Sequence, residues 1–351
     1  MPGLWSPAWS GFAETPWALL ALSALVGLAV DQRWGEPAAR WHPVVWMGRV
    51  LERLAHWVAP AAGSPQARKV LGPWVRGTVA WCLLASGVVA VAWALESVLL
   101  QLPLGFAILG LGIGFKPMMA WRMLHDEVAA VGDALNTSLE TGRERLSWLC
   151  SRPVDGLGAG EVRETAMETL AENLNDSVVA PVFWFLVAGL PGAALYRMAN
   201  TADAMWGYRG ERQGRQWGCA GKWAARADDV LSWVPARLTA LCLGLAAWAV
   251  AGRSGCAMAW WPRLRSQARL TPSPNGGWPM ATLALALQVR LGKPGAYVLN
   301  ASGREPTQAD LNMALRLARA AVVVLAVALV LLASVAVGPA FARWLAAGGG
   351  A

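Results

Sequence analysis

The run Glu161–Gly210 reads EVRETAMETLAENLNDSVVAPVFWFLVAGLPGAALYRMANTADAMWGYRG, and a basic loop leads from it to AARADDVLSWVPARLTA at Ala224–Ala240. Its first part, Glu161–Asn175, is rich in Ala, Met, Leu and Glu and contains neither Gly nor Pro, which predicts a helix. Glu164, Glu168 and Glu172 recur every four residues and so share one helix face, a row that Asp176 continues. Like charges at that spacing repel by roughly 0.2–0.5 kcal/mol per pair. The row therefore needs cations, either arginines or a metal ion. Val178–Tyr196 is apolar, but Pro181 and the GLPG at Gly189–Gly192 interrupt it. Asn200, Asp203, Asp228 and Asp229 come after it.

The composition agrees with a membrane setting. Of the 351 residues, 56% are hydrophobic and 15% charged, where soluble domains carry about a quarter charged. The apolar residues come in long runs, and there are 22 tryptophans. The net charge of +8 fits basic cytoplasmic loops facing anionic headgroups. Nucleic-acid binding is excluded, since no Lys/Arg cluster sits in a known module. Cys82, Cys150, Cys219, Cys242 and Cys256 form no C-x-x-C pair and read as small buried hydrophobes. His42, His56 and His125 lack ligand spacing, so a zinc site is not expected.

Taken outward, the chain reads as one all-α, polytopic membrane domain over residues 1–351, with four to six spans. Met1–Pro16 lacks the basic start of a signal peptide, so Trp17–Val30 is expected to be an uncleaved first span. Asp31–Gly77 holds seven Lys/Arg and is expected to be a cytoplasmic loop. Thr78–Leu100 and Leu104–Trp121 form a hairpin, with Gly105, Gly110, Gly112 and Gly114 allowing close packing. Arg122–Gly160 is partly helical. Val178–Tyr196 either spans or re-enters, because a full span would strand six Lys/Arg outside. Val230–Ala251, Trp278–Val289 and Asn312–Val337 are further helices. No P-loop or dinucleotide fingerprint occurs anywhere, and GCAGKW at Gly218–Trp223 lacks both the glycine spacing and the hydroxyl.

Five runs carry a resemblance: DQRWGEPAARWHPVVWMGR, RETAMETLAENLNDSVVAPVFW, GLPGAALYRMANTADAMWGYRG, ADDVLSWVPARLTA and SPNGGWPMATLALALQVRLGKPGAYVLN. Together they cover Asp31–Arg49 and most of Glu161–Asn300, and the chain is similar to the CobD/CbiB family of adenosylcobinamide-phosphate synthases. Two departures stand out. Many members have Asp-Gly where this chain has Asp176-Ser177, and HPSPN where it has Leu270–Asn275 as LTPSPN.

The resemblance implies an ATP- and Mg²⁺-dependent ligase that joins a propionate carboxyl of adenosylcobyric acid to the amine of aminopropanol phosphate. It also implies a cell-membrane location, an active site facing the cytoplasm and other corrinoid-pathway enzymes as partners. Activating a carboxylate through phosphoryl transfer needs magnesium, and magnesium needs carboxylates. The acid candidates are Glu168, Glu172, Asp176 and Asp203, with Glu172, Asp176, Asp203, Asp228 and Asp229 for the metal. The phosphates need arginine forks and amide donors. Arg163, Arg197, Arg209, Arg237, Asn173, Asn200 and Asn275 are the candidates. A carboxylate or His42 serves as base. Trp206, Tyr208, Trp233 and Trp278 offer faces for the corrin ring. The bland alternatives are that the acids pair with Arg163, Arg197 and Arg226, that the arginines anchor the interface, and that the asparagines cap. A UbiA-like prenyltransferase lacks its N-x-x-x-D-x-x-x-D spacing here. A transporter or AmpE-like regulator places its acids at mid-helix, whereas these lie in polar segments.

Overall fold

The computed structural model describes residues 16–150, 152–251 and 261–346. In chain order the helices are α1 (Pro16–Trp34), α2 (Pro43–Val58), α3 (Leu71–Leu99), α4 (Leu104–Phe115), α5 (Trp121–Thr137), α6 (Leu139–Ser147) and α7 (Ala159–Leu174). After a π-turn at Asn175–Val179 come α8 (Ala180–Trp206), α9 (Lys222–Leu231), α10 (Trp233–Ala251), α11 (Trp261–Ala268), α12 (Gly277–Leu287) and α13 (Gln308–Ala346). Two short antiparallel hairpins interrupt them, β1–β2 (Glu211–Arg212, Arg215–Gln216) and β3–β4 (Leu291–Lys293, Tyr297–Leu299).

Among the described residues, five helical stretches are long and apolar enough to cross a membrane: Leu71–Leu99, Leu104–Thr137, Ala159–Trp206, Trp233–Val250 and Gln308–Ala336. The all-α, polytopic expectation is met. The expected first span is helical but is not one of the five, because Asp31, Gln32 and Arg33 fall inside the 19 residues of α1. The expected cytoplasmic loop contains the amphipathic helix α2. The reading of the residues before Pro16 and that of Cys256 lie outside the described residues. The four described cysteines are free thiols.

The chain divides into two compact units. The first takes in Met1–Met119, Pro181–Leu231 and Ala328–Ala351. Here α1 packs on α4 through glycines: a Cβ at Gly112 would lie 2.7 Å from the Ser23 carbonyl, and one at Gly27 would lie 2.9 Å from Phe115. The Gly105 expectation is corrected, since its surroundings are open. Helix α8 is broken where GLPG predicts, at Ala188 and Gly189, with Gly189 at φ +64°. The restarted helix needs an acceptor for its first amides. Glu96 of α3 supplies it, accepting from the Leu190 N–H at 2.6 Å. A Cβ at Gly189 would overlap that carboxylate, and the left-handed φ also favours glycine. Glu96→Ala should lower stability by about 1–3 kcal/mol, because the Leu190 donor loses its partner. Glu96→Gln keeps an acceptor and should lose less, and thermal unfolding in detergent compares the two.

The second unit comprises Ala120–Ala180 and Ser232–Val327. Its centre is α7, buried on nearly every side and packed against α5, α6, α12 and β3. Glu161 closes the N-terminus by accepting from the Gly158 N–H at 2.7 Å. Glu164 and Glu168 are buried and must be satisfied by protein groups rather than by water, whereas Glu172 is exposed.

Candidate functional site

The acidic row of α7 meets cations one residue at a time. Glu164, 5% exposed, pairs with Arg290, whose Nη2 lies 3.0 Å from Oε1. Glu168 pairs with Arg152 at 3.3 Å, and Arg152 also bonds the Thr165 hydroxyl. The Tyr297 hydroxyl donates to Met280 Sδ at 3.7 Å. Burial, with the Glu168 and Glu172 carboxylates close by, pushes the Tyr297 phenol far above its usual range, so it remains a hydrogen-bond donor at any working pH. One turn further on, Glu172 faces the SPNGG loop: a Cβ at Gly276 would lie 3.0 Å from its Oε1. Asp176 accepts from Asn175 Nδ2 at 2.7 Å, and Asn175 Oδ1 accepts from the Thr239 hydroxyl at 3.2 Å. The π-turn thus holds Asp176 in a fixed orientation, and such turns often occur at functional sites.

Arg237 is the best-built cation of this unit. Its guanidinium lies between the Trp233 and Trp278 rings, 4.2 and 4.7 Å from their centroids. It donates to Asn275 Oδ1 at 3.0 Å and to the Pro274 carbonyl at 3.3 Å. Stacking and a fixed fork are what arginine offers over lysine. Asn275 therefore orients Arg237, while the Ser273 hydroxyl accepts the loop amides of Asn275 and Gly276. Asn173 bonds its own helix, donating to the Thr169 carbonyl at 3.0 Å. Arg163 makes no hydrogen bond or ion pair among the described residues, and its Nε is buried. A cavity of about 450 Å³ opens beside the row, lined by Glu161, Glu164, Arg290, Lys293 and Tyr297.

The remaining candidates belong to the other unit. Arg197 and Asn200 share α8, with Arg197 Nη1 3.5 Å from Asn200 Oδ1. Asn200 Nδ2 donates to Asp228 of α9 at 3.3 Å. Burial raises the Asp229 carboxyl above its usual range, and the nearby Arg209 charge partly opposes this. Asp203, on the same helix as Asn200, lies against Gly207, whose N–H bonds the Asp203 carbonyl at 2.7 Å. Trp206 is corrected as a corrin face. It is 1% exposed and stacks on Trp217, so it belongs to the core. Arg212 covers the Tyr208 ring.

His42 belongs to a third group, also in this unit. Its Nδ1 accepts from the Val44 N–H, capping α2, and its Nε2 lies 2.8 Å from Glu36 Oε2. Lys116, 4% exposed, reaches Glu36 at 2.7 Å and the fully buried Asp31 at 3.0 Å. Both ring nitrogens of His42 are thus engaged. Burial alone would raise the Glu36 carboxyl, but the bonds from His42 and Lys116 hold it below its ordinary value of 4.5. A depressed carboxyl adds stability above its unfolded value, and that contribution disappears as the pH falls through the folded value. Acidification from pH 6 through about 4.5 and below should therefore lower the unfolding temperature of the wild type more steeply than that of Glu36→Gln.

Several of these partners are absent from the list of candidates read from the sequence. Arg290, Tyr297 and Glu36 lie within the matched runs, so a signal existed. Thr239 also lies in a matched run, whereas Arg152, Lys116 and Glu96 lie in none and act through distant neighbours. Among the described residues no three His, Cys, Asp or Glu side chains converge as a metal cage. An ion arriving on nucleotide phosphates needs only one or two carboxylates.

The fold and these groups define a polytopic helical membrane protein in which arginine and lysine side chains hold buried carboxylates. The chain belongs to the CobD/CbiB family: the family model described as CobD/Cbib protein matches residues 24–324. A cobalamin biosynthesis protein CobD of Chromobacterium violaceum is 39% identical over 305 residues, covering 85% of this chain and 91% of the relative. Proteins of the same name from Stutzerimonas stutzeri and Brucella suis are 39% and 36% identical, covering 79% and 85% of this chain and 83% and 91% of their own length. No solved structure matches.

Proposed function

We propose that this protein acts in cobalamin biosynthesis as an amide-forming enzyme of the membrane. It joins a propionate carboxyl of adenosylcobyric acid to the amine of (R)-1-amino-2-propanol phosphate, giving adenosylcobinamide phosphate. The observation that carries this reading is the family match over residues 24–324, a range that includes every candidate side chain.

A carboxylate resists attack by an amine. Transfer of the ATP γ-phosphoryl group to a carboxylate oxygen yields ADP and an acyl phosphate, a good electrophile. The amine then forms the C–N bond, phosphate leaves with the C–O bond pair, and a proton passes to a base. Glu172 is the proposed base in its own unit, with Asp176 beside it. Arg237, clamped between two tryptophans, presents a rigid fork to a phosphate. Arg290 and Lys293 at the cavity offer further cationic contacts. In the other unit Arg197, Arg209 and Asn200 suit a second phosphate-bearing group. Magnesium, when it arrives with ATP, would neutralise phosphate charge, with Glu172 or Asp176, or Asp203, Asp228 or Asp229, as the one or two carboxylates it needs. A cytoplasmic active site and contact with other corrinoid-pathway enzymes follow from the same reading, since ATP is cytoplasmic.

The test is product formation by the purified protein in detergent with adenosylcobyric acid, aminopropanol phosphate and Mg-ATP, read by mass together with ADP release. Product linked to ADP supports the reading. Silence from well-folded protein, with ethanolamine phosphate and threonine phosphate silent too, would overturn it.

A further inference from the structure

We propose that α2 is an interfacial helix that docks onto anionic phospholipid headgroups. The inference stands apart from the proposed reaction. The inner face of α2 is fastened to its own unit: Met47, Leu51 and Val58 are buried. At its C-terminal end Arg215 donates to the Ala59 carbonyl at 2.8 Å and bonds the His56 ring. The outer face has a different composition. At 100° per residue, Trp46, Arg49, Arg53 and Trp57 fall within an arc of about 80°. Trp46 and Trp57 are 45% and 47% exposed. Arg49 and Arg53 are exposed and make no hydrogen bond or ion pair among the described residues. Just upstream, Trp34 and Trp41 are exposed as well, each with its neighbouring arginine, Arg33 or Arg40, over the ring.

This mixture suits one environment. Two large aromatic faces are unfavourable in water, and two guanidinium groups are unfavourable among acyl chains. At headgroup level the indole rings lie in the interfacial layer while the arginines meet phosphate. The rings argue for a lipid surface over a free phosphate ion, which gives an indole nothing to enter. The charge selects the lipid: Glu52 is the single acid of α2, against Arg49 and Arg53, and the flanking segments add Arg33, Arg40, Arg68 and Lys69. An anionic headgroup is the complementary partner.

The experiment compares the full-length protein in phosphatidylcholine nanodiscs with discs doped with phosphatidylglycerol, by hydrogen exchange of residues 43–58 and by native mass spectrometry of retained lipid. Slower exchange in the doped discs and preferential retention of phosphatidylglycerol are expected. Arg49→Gln/Arg53→Gln should lose about fivefold in lipid affinity per arginine. Arg49→Lys/Arg53→Lys should keep most of it, which separates charge from a structural use of arginine. Exchange of the α7 amides reports whether each variant is folded. Equal protection in both discs, or a preference that survives the double glutamine variant, would overturn the proposal. Protection that appears only with an added soluble protein would assign the face to a protein partner and overturn it equally.

Discussion

Glu172→Gln is expected to lower amide formation by about 10²- to 10⁴-fold while leaving the protein folded, the range set by loss of a positioned general base. The row on α7 explains why this member is singled out. Glu164 and Glu168 are held by Arg290 and Arg152. Glu168→Gln takes the carboxylate from the largely buried Arg152 and should lose stability as well as activity, whereas Glu164→Gln, whose partner Arg290 is exposed, should lose less stability. Glu172 is exposed, and its carboxylate lies against the Gly276 backbone, in the loop where Asn275 and Arg237 meet. Its loss should appear in kcat with little change in KM for the amine, as for a group that acts in the transition state. Near-normal turnover by Glu172→Gln, beside an inactive but folded Glu168→Gln, would move the chemistry one turn towards the helix N-terminus.

Gly221→Ala is expected to cost about 1–3 kcal/mol of stability and most of the activity. Gly221 opens the turn into α9, its N–H bonding the Trp217 carbonyl at 2.8 Å. A Cβ there would overlap the Trp206 carbonyl, a backbone group that cannot rotate away. Trp206 itself is locked, buried and stacked on Trp217. The strain must pass into α9, which carries Asp228 and its 3.3 Å contact with Asn200. Gly210→Ala is the control, since a Cβ at Gly210 meets nothing within 4 Å. Thermal unfolding and residual product formation, measured on both, separate a close-approach glycine from an ordinary loop glycine. An unchanged melting temperature in Gly221→Ala would show that the turn can give way.

GCAGKW illustrates how a glycine can be read. The sequence excludes a phosphate loop there, correctly by spacing, but offers no reason for the glycine. The reason is a contact with a carbonyl of a helix that ended about 15 residues earlier. The break at Gly189 was legible, because GLPG combines a residue tolerant of positive φ with one that lacks an amide proton. Its cap was not legible: Glu96 lies 94 residues away in an apolar helix, where composition alone marks an isolated acid.

The same division holds for the candidate site. Local periodicity was enough to put Glu164, Glu168 and Glu172 on one face, and their repulsion was enough to demand cations. It could not choose among 30 Lys and Arg residues, and the structure gives Glu168 to Arg152 and Glu164 to Arg290. The choice of Arg152 and Arg290 depends on how the β3–β4 hairpin and the segment before α7 pack, which are long-range events.

By itself the sequence determined the all-α, membrane-spanning class, the polar α7 helix, the helix break and the family. Each follows from short-range chemistry: runs of apolar residues, a four-residue charge spacing, a glycine–proline signal and contiguous motifs. Only the tertiary structure decided which arginine meets which carboxylate, that His42 has both ring nitrogens engaged, that Trp206 belongs to the core, and that a supposed loop holds a Trp- and Arg-faced helix. Those outcomes depend on burial. Burial is fixed when distant segments close on one another, and no local pattern encodes that.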